Sequence, residues 1–175
     1  MVTAKFKTLL FSFVSVLFID HAGKAWAVSH LEVGVVQPVI PWAGRFLTFT
    51  HARNPGGAFG LLVEWPWGWR LATFLAVAIM TMVAVAIFYR AMAPGERFNA
   101  AALGLILGGT VSNLMDRLTR GEVIDYLHLD FRSSWSWPDF NLADVGILVG
   151  VAALILELLS VEGASRAGAK RRMDD

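Results

Sequence analysis

The chain has 175 residues, of which 56% are hydrophobic and only 17% charged, and its mean hydropathy is +0.57. Soluble proteins average roughly 45–50% apolar and about 25% charged residues, so this composition indicates a chain that lies partly in lipid. A net charge of +1, without a dense basic run among aromatics, argues against nucleic acid as a partner, and the absence of cysteine excludes disulfides, thiolate metal sites and cysteine nucleophiles.

Four stretches are long and apolar enough to cross a bilayer core of about 30 Å, which takes about 20 helical residues. In chain order they are 8–28, 69–89, 100–118 and 142–161. The third is rich in Gly and Ala, and its Gly104, Gly108 and Gly109 are either close-packing positions or the wall of a groove that opens to lipid. The fold class is therefore an all-α membrane protein with four transmembrane helices, and we expect residues 1–175 to form a single integral membrane domain.

The first apolar segment has two interpretations. A basic N-terminus, the apolar run 8–19 and then the Ala-Trp-Ala sequence at 25–27 imitate a cleavable signal peptide. However, Asp20 and Lys24 lie between the apolar run and the supposed cleavage site. They are four residues apart on one helical face, where they can pair inside the protein. This favours a retained transmembrane helix.

The placement of positive charge indicates the orientation of the helices. Eight of the 15 Lys and Arg residues lie in the two tails and in the 90–97 hairpin, whereas the other seven are spread over two longer connections and adjoining helix ends. We therefore expect both termini in the cytoplasm, with 29–68 and 119–140 outside. Short β-branched and aromatic runs within 31–63 predict a small β-rich periplasmic segment at the membrane surface.

Tryptophan residues concentrate in these outer connections. They are Trp65, Trp67, Trp69, Trp135 and Trp137. Such residues are typical of the aromatic belt at a membrane–water interface, so anchoring is their default role. Contact with a substrate is the alternative role for any one of them.

Ionisable and amide side chains gather near the outer ends of the third and fourth helices, although hydrocarbon disfavours them. They are Asn113, Asp116, Arg117, Asp125, Asn141 and Asp144. Asp125 has apolar neighbours, whose desolvating effect would raise the pKa of its carboxyl group, and Asp144 lies about one turn inside the fourth helix. Two carboxyl groups brought together there would share one proton, so that one activates a water molecule while the other polarises a scissile carbonyl. The pattern favours peptide hydrolysis without a metal or a nucleophilic serine.

Other roles for these residues remain open. Asn141 is a good N-cap with Asp144 at the favourable third position of the helix, and Asp116 with Arg117 can form a structural ion pair. A small transporter or channel subunit is the alternative function, although it predicts charge spread through the membrane depth. Its proton relay would use Asp20, Lys24, Asp116 and Asp125.

Five motifs, in order along the chain, resemble those of the lipoprotein signal peptidase (signal peptidase II) family. They are Asp20 with Lys24, NPGGAF at Asn54–Phe59, GGTVSNLMDR at Gly108–Arg117, VIDY at Val123–Tyr126 and FNLAD at Phe140–Asp144. The resemblance covers almost the whole chain. Gly57, Ser112 and Val145 depart from the family pattern, where Ala, Gly and Ser are usual.

The resemblance implies an aspartic endopeptidase that removes the signal peptide from diacylglyceryl-modified prolipoproteins, cutting just before the lipidated Cys. Asp125 and Asp144 match the catalytic dyad. The matching substrate-binding and supporting positions are Asn54, Asn113, Arg117, Asn141, Asp20 and Lys24. We expect no cofactor and no metal, membrane lipid and globomycin-type inhibitors as ligands, and a monomer in the bacterial inner membrane with its active site at the periplasmic face. An inactive lipoprotein-binding relative is a third possibility, against which the intact Asp125 and Asp144 argue.

Overall fold

Four long helices form most of the protein. The structure is a computed structural model that describes residues 3–38, 46–130 and 137–174, with side chains described as far as residue 163. The helices are α1 (Ala4–His30), α2 (Trp67–Ala91), α3 (Arg97–Arg120) and α4 (Leu142–Asp174). Each contains a segment long and apolar enough to cross a membrane, which in α4 is Leu142–Gly163. The four predicted spans are confirmed, and the helices extend beyond them because helical hydrogen bonding continues past the apolar residues that reveal a span.

Helix α3 is central and packs against each of the other three helices. A Cβ atom at Gly104 would collide with the carbonyl group of Leu9 on α1, and one at Gly109 would collide with the carbonyl group of Ala143 on α4. Glycine therefore allows the backbones to approach closely, as in many membrane helix pairs. The packing interpretation of these small residues is confirmed.

A three-stranded antiparallel sheet lies at one end of the helices. Its strands are β1 (Gln37–Pro38), β2 (Leu47–Asn54) and β3 (Val123–Leu129), in that order across the sheet. In its described residues, 31–38 and 46–63, the predicted β-rich segment supplies β1 and β2. The third strand comes from the connection between α3 and α4, and it places Asp125 opposite Ala52 of β2.

The sheet is attached to the helices by a small apolar cluster. Tyr126 of β3 packs there with Ala27 at the end of α1 and with Leu31, and Phe49 and Leu142 add to the cluster. Helix α1 therefore continues without a break through the sequence at 25–27 and contributes a fully buried Ala27 to the contact with the sheet. This packing fixes β3 against the first turn of α4.

The tryptophans before and at the start of α2 are solvent- or lipid-exposed. Trp65, Trp67 and Trp69 all present a large part of their surface, as expected for interfacial anchors. Trp135 lies outside the described residues. Trp137 differs from the others because it lines a cavity that Asp125 and Asp144 also line.

Candidate active site

Asn141 joins the two carboxyl groups that the sequence singles out. Its side-chain Nδ2 donates to Asp125 Oδ1 at 2.7 Å, while its Oδ1 accepts from the backbone N–H of Asp144 at 3.0 Å. The backbone N–H of Asn141 donates in turn to Asp144 Oδ2 at 3.2 Å. This reciprocal pair has the geometry of a capping box. Asn141 therefore caps α4 and also brings the two carboxyl groups together. The capping interpretation and the interpretation of a shared carboxyl site do not exclude each other.

Two further amides complete the contacts of these carboxyl groups. Asn54 Nδ2 donates to Asp125 Oδ2 at 3.0 Å, and its Oδ1 accepts from Gly56 N–H. Asn113 Nδ2 donates to Asp144 Oδ1 at 2.8 Å, while its Oδ1 accepts from Lys24 Nζ at 2.9 Å. Because each amide oxygen already faces a donor, each NH₂ group can only point at a carboxylate. The donors that contact the two carboxyl groups through side chains are therefore neutral.

Lys24 forms the centre of a buried charged group behind these amides. Its Nζ lies 2.7 Å from Asp20 Oδ2 and 2.9 Å from Asp116 Oδ2, and all three side chains are almost completely buried. With Asn113 as third acceptor, every ammonium proton is used. The predicted Asp20–Lys24 pair is confirmed. The alternative Asp116–Arg117 ion pair is wrong, since adjacent helical residues point in different directions; Asp116 contacts Arg120 instead.

Two hydroxyl groups that sequence reasoning missed also bind Asp20. Ser112 Oγ donates to Asp20 Oδ2 at 2.6 Å, and Tyr126 OH donates to Asp20 Oδ1 at 3.4 Å. The same Oδ1 accepts from the backbone N–H of Ala143 in α4. Ser112 was visible in the sequence as a departure from the family pattern, but its partner on α1 was not.

Arg117 holds the loop that follows β2 against α3. Its guanidinium donates to the carbonyl oxygens of Asn113 at 3.2 Å and Gly56 at 2.9 Å, and it stacks 3.9 Å from the ring centre of Phe74. It contacts neither carboxyl group by a hydrogen bond. Arg117 therefore holds the loop that follows Asn54, the last residue of β2, and it lines the same cavity as both carboxyl groups.

A cavity of about 710 Å³ opens beside the two carboxyl groups. Its polar lining residues are Asp125, Asp144, Asp139, Asn54, Asn113 and Arg117. The remaining wall is largely apolar and includes Val145, Ile147, Leu148 and Val151 of α4, with Phe59, Trp137 and Phe140. This size and mixture are typical of ligand-binding sites. Because Trp137 is part of this wall, the structure favours contact with a substrate over membrane anchoring as its role.

The surroundings of Asp125 raise the pKa of its carboxyl group well above its usual range. Burial, followed by the negative charge of Asp144, raises the pKa of Asp125 to about 7, although the hydrogen bonds from Asn54 and Asn141 oppose the rise. Desolvation is thus the main cause, as its apolar neighbours in the sequence indicated. Near neutral pH this carboxyl group is protonated in a substantial fraction of molecules.

Within the described part of the chain, no group of three or more His, Cys, Asp or Glu side chains is arranged to hold a metal ion. The amides of Asn54, Asn113 and Asn141 contact the two carboxyl groups, and Arg117 and Asp139 lie in the wall of the same cavity. The expected independence from metal stays a prediction.

The sequence profile of the family described as "Signal peptidase (SPase) II" matches residues 12–160. The chain belongs to the signal peptidase II family. It is 40% identical to the lipoprotein signal peptidase of Geobacter metallireducens over 155 residues, which cover 87% of this chain and 92% of that protein. It is 35% identical to the lipoprotein signal peptidase of Syntrophotalea carbinolica, with 87% and 91% covered.

Solved structures agree with this family assignment. One, described as a bacterial membrane enzyme, superimposes with a TM-score of 0.76 at 28% identity and covers 88% of each chain. Another with the same description gives a TM-score of 0.74 at 29% identity. The resemblance noted from the motifs is confirmed, and the protein is a multi-pass membrane peptidase.

Proposed function

We propose that this signal peptidase II family member is an aspartic endopeptidase that removes the signal peptide from diacylglyceryl-modified prolipoproteins, cutting just before the lipidated Cys. The observation that carries the proposal is the convergence of Asp125 and Asp144 on one amide, that of Asn141, at the wall of the cavity. The names of the relatives support the substrate class, since they are lipoprotein signal peptidases.

The two carboxyl groups have different roles in the proposed reaction. Asp125, with its pKa raised to about 7, is the protonated member and polarises the scissile carbonyl oxygen. Asp144 is the ionised member because two N–H donors bind its oxygens and it lies in the first turn of α4, where the helix dipole favours negative charge.

In the proposed reaction, each carboxyl group returns at the end to the protonation state in which it began. Asp144 takes a proton from water as the water oxygen attacks the carbonyl carbon, and Asp125 donates its proton to the carbonyl oxygen. The resulting tetrahedral diol collapses when Asp144 gives its proton to the leaving nitrogen and Asp125 recovers its own from the diol. The C–N bond breaks, and the products are the signal peptide acid and the free amine of the lipidated Cys.

The side chains that donate hydrogen bonds to the two carboxyl groups are neutral amides. Asn54 and Asn141 bind Asp125, and Asn113 binds Asp144. Arg117 secures the loop that follows Asn54. Such fixed contacts matter because misplacement by about 1 Å reduces rates about a hundredfold.

The apolar wall of the cavity supports a lipid-linked substrate. Residues of α4 form that wall within a segment able to cross a membrane, so a substrate already in the bilayer reaches the site laterally. Acyl chains contribute about 0.8 kcal/mol per CH₂ shielded from water, but most of that is realised on entering the bilayer. The enzyme's own contribution is therefore orientation of the scissile bond.

We further propose a monomer in the bacterial inner membrane, formed by one integral membrane domain, with both termini cytoplasmic and the active site at the periplasmic face. Four antiparallel crossings support this arrangement, because they bring both termini to the end of the bundle away from the sheet and the carboxyl pair. The excess of Lys and Arg in the tails and the 90–97 hairpin indicates that this end faces the cytoplasm.

The test is cleavage of a diacylglyceryl-modified prolipoprotein by the purified protein, with and without globomycin and with and without EDTA. We expect wild-type turnover that globomycin inhibits and EDTA does not change. Asp125→Asn and Asp144→Asn should each abolish turnover in a folded protein. Glu122→Gln is the matched control, since Glu122 pairs with the exposed Arg53 away from the dyad. Turnover that survives either Asn substitution, or that EDTA removes, would contradict the aspartic mechanism.

The proton-relay alternative receives no support from the placement of charge. A relay requires ionisable groups at several depths in the membrane. Asp20, Lys24 and Asp116 instead form one cluster, and Tyr126 links Asp20 to the strand that carries Asp125. These charges are therefore concentrated at one end of the bundle.

A further inference from the structure

Tyr126 follows Asp125 on β3, so its side chain points to the opposite face of the strand. Its surface is only 3% exposed. The ring lies so close to Gly23 of α1 that a Cβ atom there would collide with it. The ring position is therefore fixed by packing, and the position of the hydroxyl group is fixed with it.

The hydroxyl group of Tyr126 lies between α1 and the first turn of α4. It donates to Asp20 Oδ1 at 3.4 Å and accepts from the backbone N–H of Leu142 at 3.3 Å. Burial and the charge of Asp20 raise the pKa of Tyr126, so the group keeps its proton. It is thus both a donor and an acceptor under all ordinary conditions.

The first N–H groups of a helix have no partners within the helix itself. In α4, Tyr126 OH accepts from Leu142, Asp20 accepts from Ala143 at 3.0 Å, and Asn141 accepts from Asp144 at 3.0 Å. Each of the first three N–H groups therefore has a side-chain acceptor. Only the acceptor from Tyr126 belongs to the strand that carries Asp125.

We propose that Tyr126 is a positioning residue for the two carboxyl groups. Its hydroxyl group ties β3 to the first turn of α4, and so sets where Asp125 stands relative to Asp144. Asp125 and Tyr126 are neighbours on β3, and Asp144 lies two residues after Leu142 in α4. A change in the hydrogen bond between Tyr126 and Leu142 therefore displaces both carboxyl groups directly. This inference rests on the proposed aspartic mechanism for its effect on rate, but not for its effect on structure.

The chain offers a matched pair of substitutions, because it has two tyrosines. Tyr126→Phe keeps the buried ring and removes only the hydroxyl group. Tyr89→Phe does the same at the end of α2, where the Tyr89 ring and carbonyl group contact Lys5. Both proteins are compared with wild type for kcat, KM and thermal unfolding in detergent.

We expect Tyr126→Phe to lower kcat by about fivefold, which corresponds to ~1 kcal/mol, the net contribution of a typical hydrogen bond. KM should stay unchanged because Tyr126 does not line the cavity. Tyr89→Phe should leave kcat at the wild-type value. A general loss of stability would instead lower the amount of active enzyme in proportion to unfolding, which the thermal measurement detects.

Amide hydrogen exchange tests the hydrogen bond between Tyr126 and Leu142 without any substrate. In Tyr126→Phe the backbone amide of Leu142 should exchange faster than in wild type, while in Tyr89→Phe it should not change. Wild-type exchange at Leu142 together with wild-type kcat in Tyr126→Phe would overturn the inference, as would equal effects of the two substitutions. If wild-type protein fails to cleave the lipidated substrate, the proposed function is wrong, and exchange at Leu142 alone then decides the inference.

Discussion

Replacing Lys24 with Met should test the charged group that supports the site. Lys24 is 1% exposed and lies between two carboxylates, those of Asp20 and Asp116, which are 0% and 2% exposed. Met matches the length of the lysine stem but removes the ammonium group. Asp20 would keep its hydroxyl and N–H donors, and Asp116 would keep the contact from the half-exposed Arg120. Two buried negative charges would then face each other without a cation between them.

The expected loss is large compared with the stability of the fold. Removing one partner of a buried ion pair lowers the free energy of unfolding by about 3–5 kcal/mol, because the remaining charge stays buried and unpaired. Folded proteins have free energies of unfolding of only about 5–15 kcal/mol. Activity should fall as well, because Asn113 loses the closer of the two donors that hold its amide oxygen away from Asp144 and keeps only the one from Asn141.

Thermal unfolding in detergent measures this loss through intrinsic fluorescence, for which the chain has seven tryptophans. Lys5→Met is the control, since Lys5 donates to the carbonyl oxygens of Tyr89 and Met92 and is only partly buried. It should cost about 1 kcal/mol. Adding Asp116→Asn to Lys24→Met should restore part of the stability by removing one of the two negative charges that face each other. If Lys24→Met is no more destabilising than Lys5→Met, the account of a buried ion cluster under the site is wrong.

Four further outcomes are expected. The rate of cleavage should fall as pH rises through about 7, because Asp125 then loses the proton with which it polarises the carbonyl oxygen; a rate that rises across this range would contradict its role. Asn54→Ala or Arg117→Ala should slow cleavage by roughly tenfold or more, whereas Trp67→Ala, which changes an exposed ring outside the main cavity, should have less effect. A prolipoprotein without diacylglycerol should be cleaved far more slowly in the same membrane at the same density; equal rates would indicate a general membrane peptidase. Reporters active only in the cytoplasm should respond at both termini, and a periplasmic signal from either would refute the proposed topology.

The helices and part of the site were predictable because their signals are local. Apolar runs of about 20 residues reveal membrane helices directly. The pairing of Asp20 with Lys24 follows from their separation of four residues on a helix. The desolvation of Asp125 followed from its immediate neighbours in the chain. Each of these inferences needed only residues that are close together in the sequence.

The third strand and the contacts of Lys24 were not predictable in this way. Residues Val123–Tyr126 of β3 are all buried, so the strand lacks the alternation of polar and apolar residues that reveals a half-exposed strand. Its partner β2 lies about 70 residues earlier in the chain. Lys24 likewise contacts Asp116 and Asn113 only because α1 and α3 pack closely. No local sequence pattern indicates which polar residues of two helices will contact each other.

The arrangement of charge around the dyad explains how Asp125 can keep a proton near neutral pH. A cation in direct contact with a carboxyl group lowers its pKa, so an arginine or lysine placed against Asp125 would ionise it and remove the proposed proton donor. The side-chain donors that touch the dyad are instead the neutral amides of Asn54, Asn113 and Asn141. Lys24 is held one residue further away, and Asp20 and Asp116 more than balance its charge. Its attraction accordingly lowers the pKa of Asp125 less than the hydrogen bonds from Asn54 and Asn141 do. The same lysine that orients Asn113 toward Asp144 can therefore stabilise the site without ionising both of its carboxyl groups.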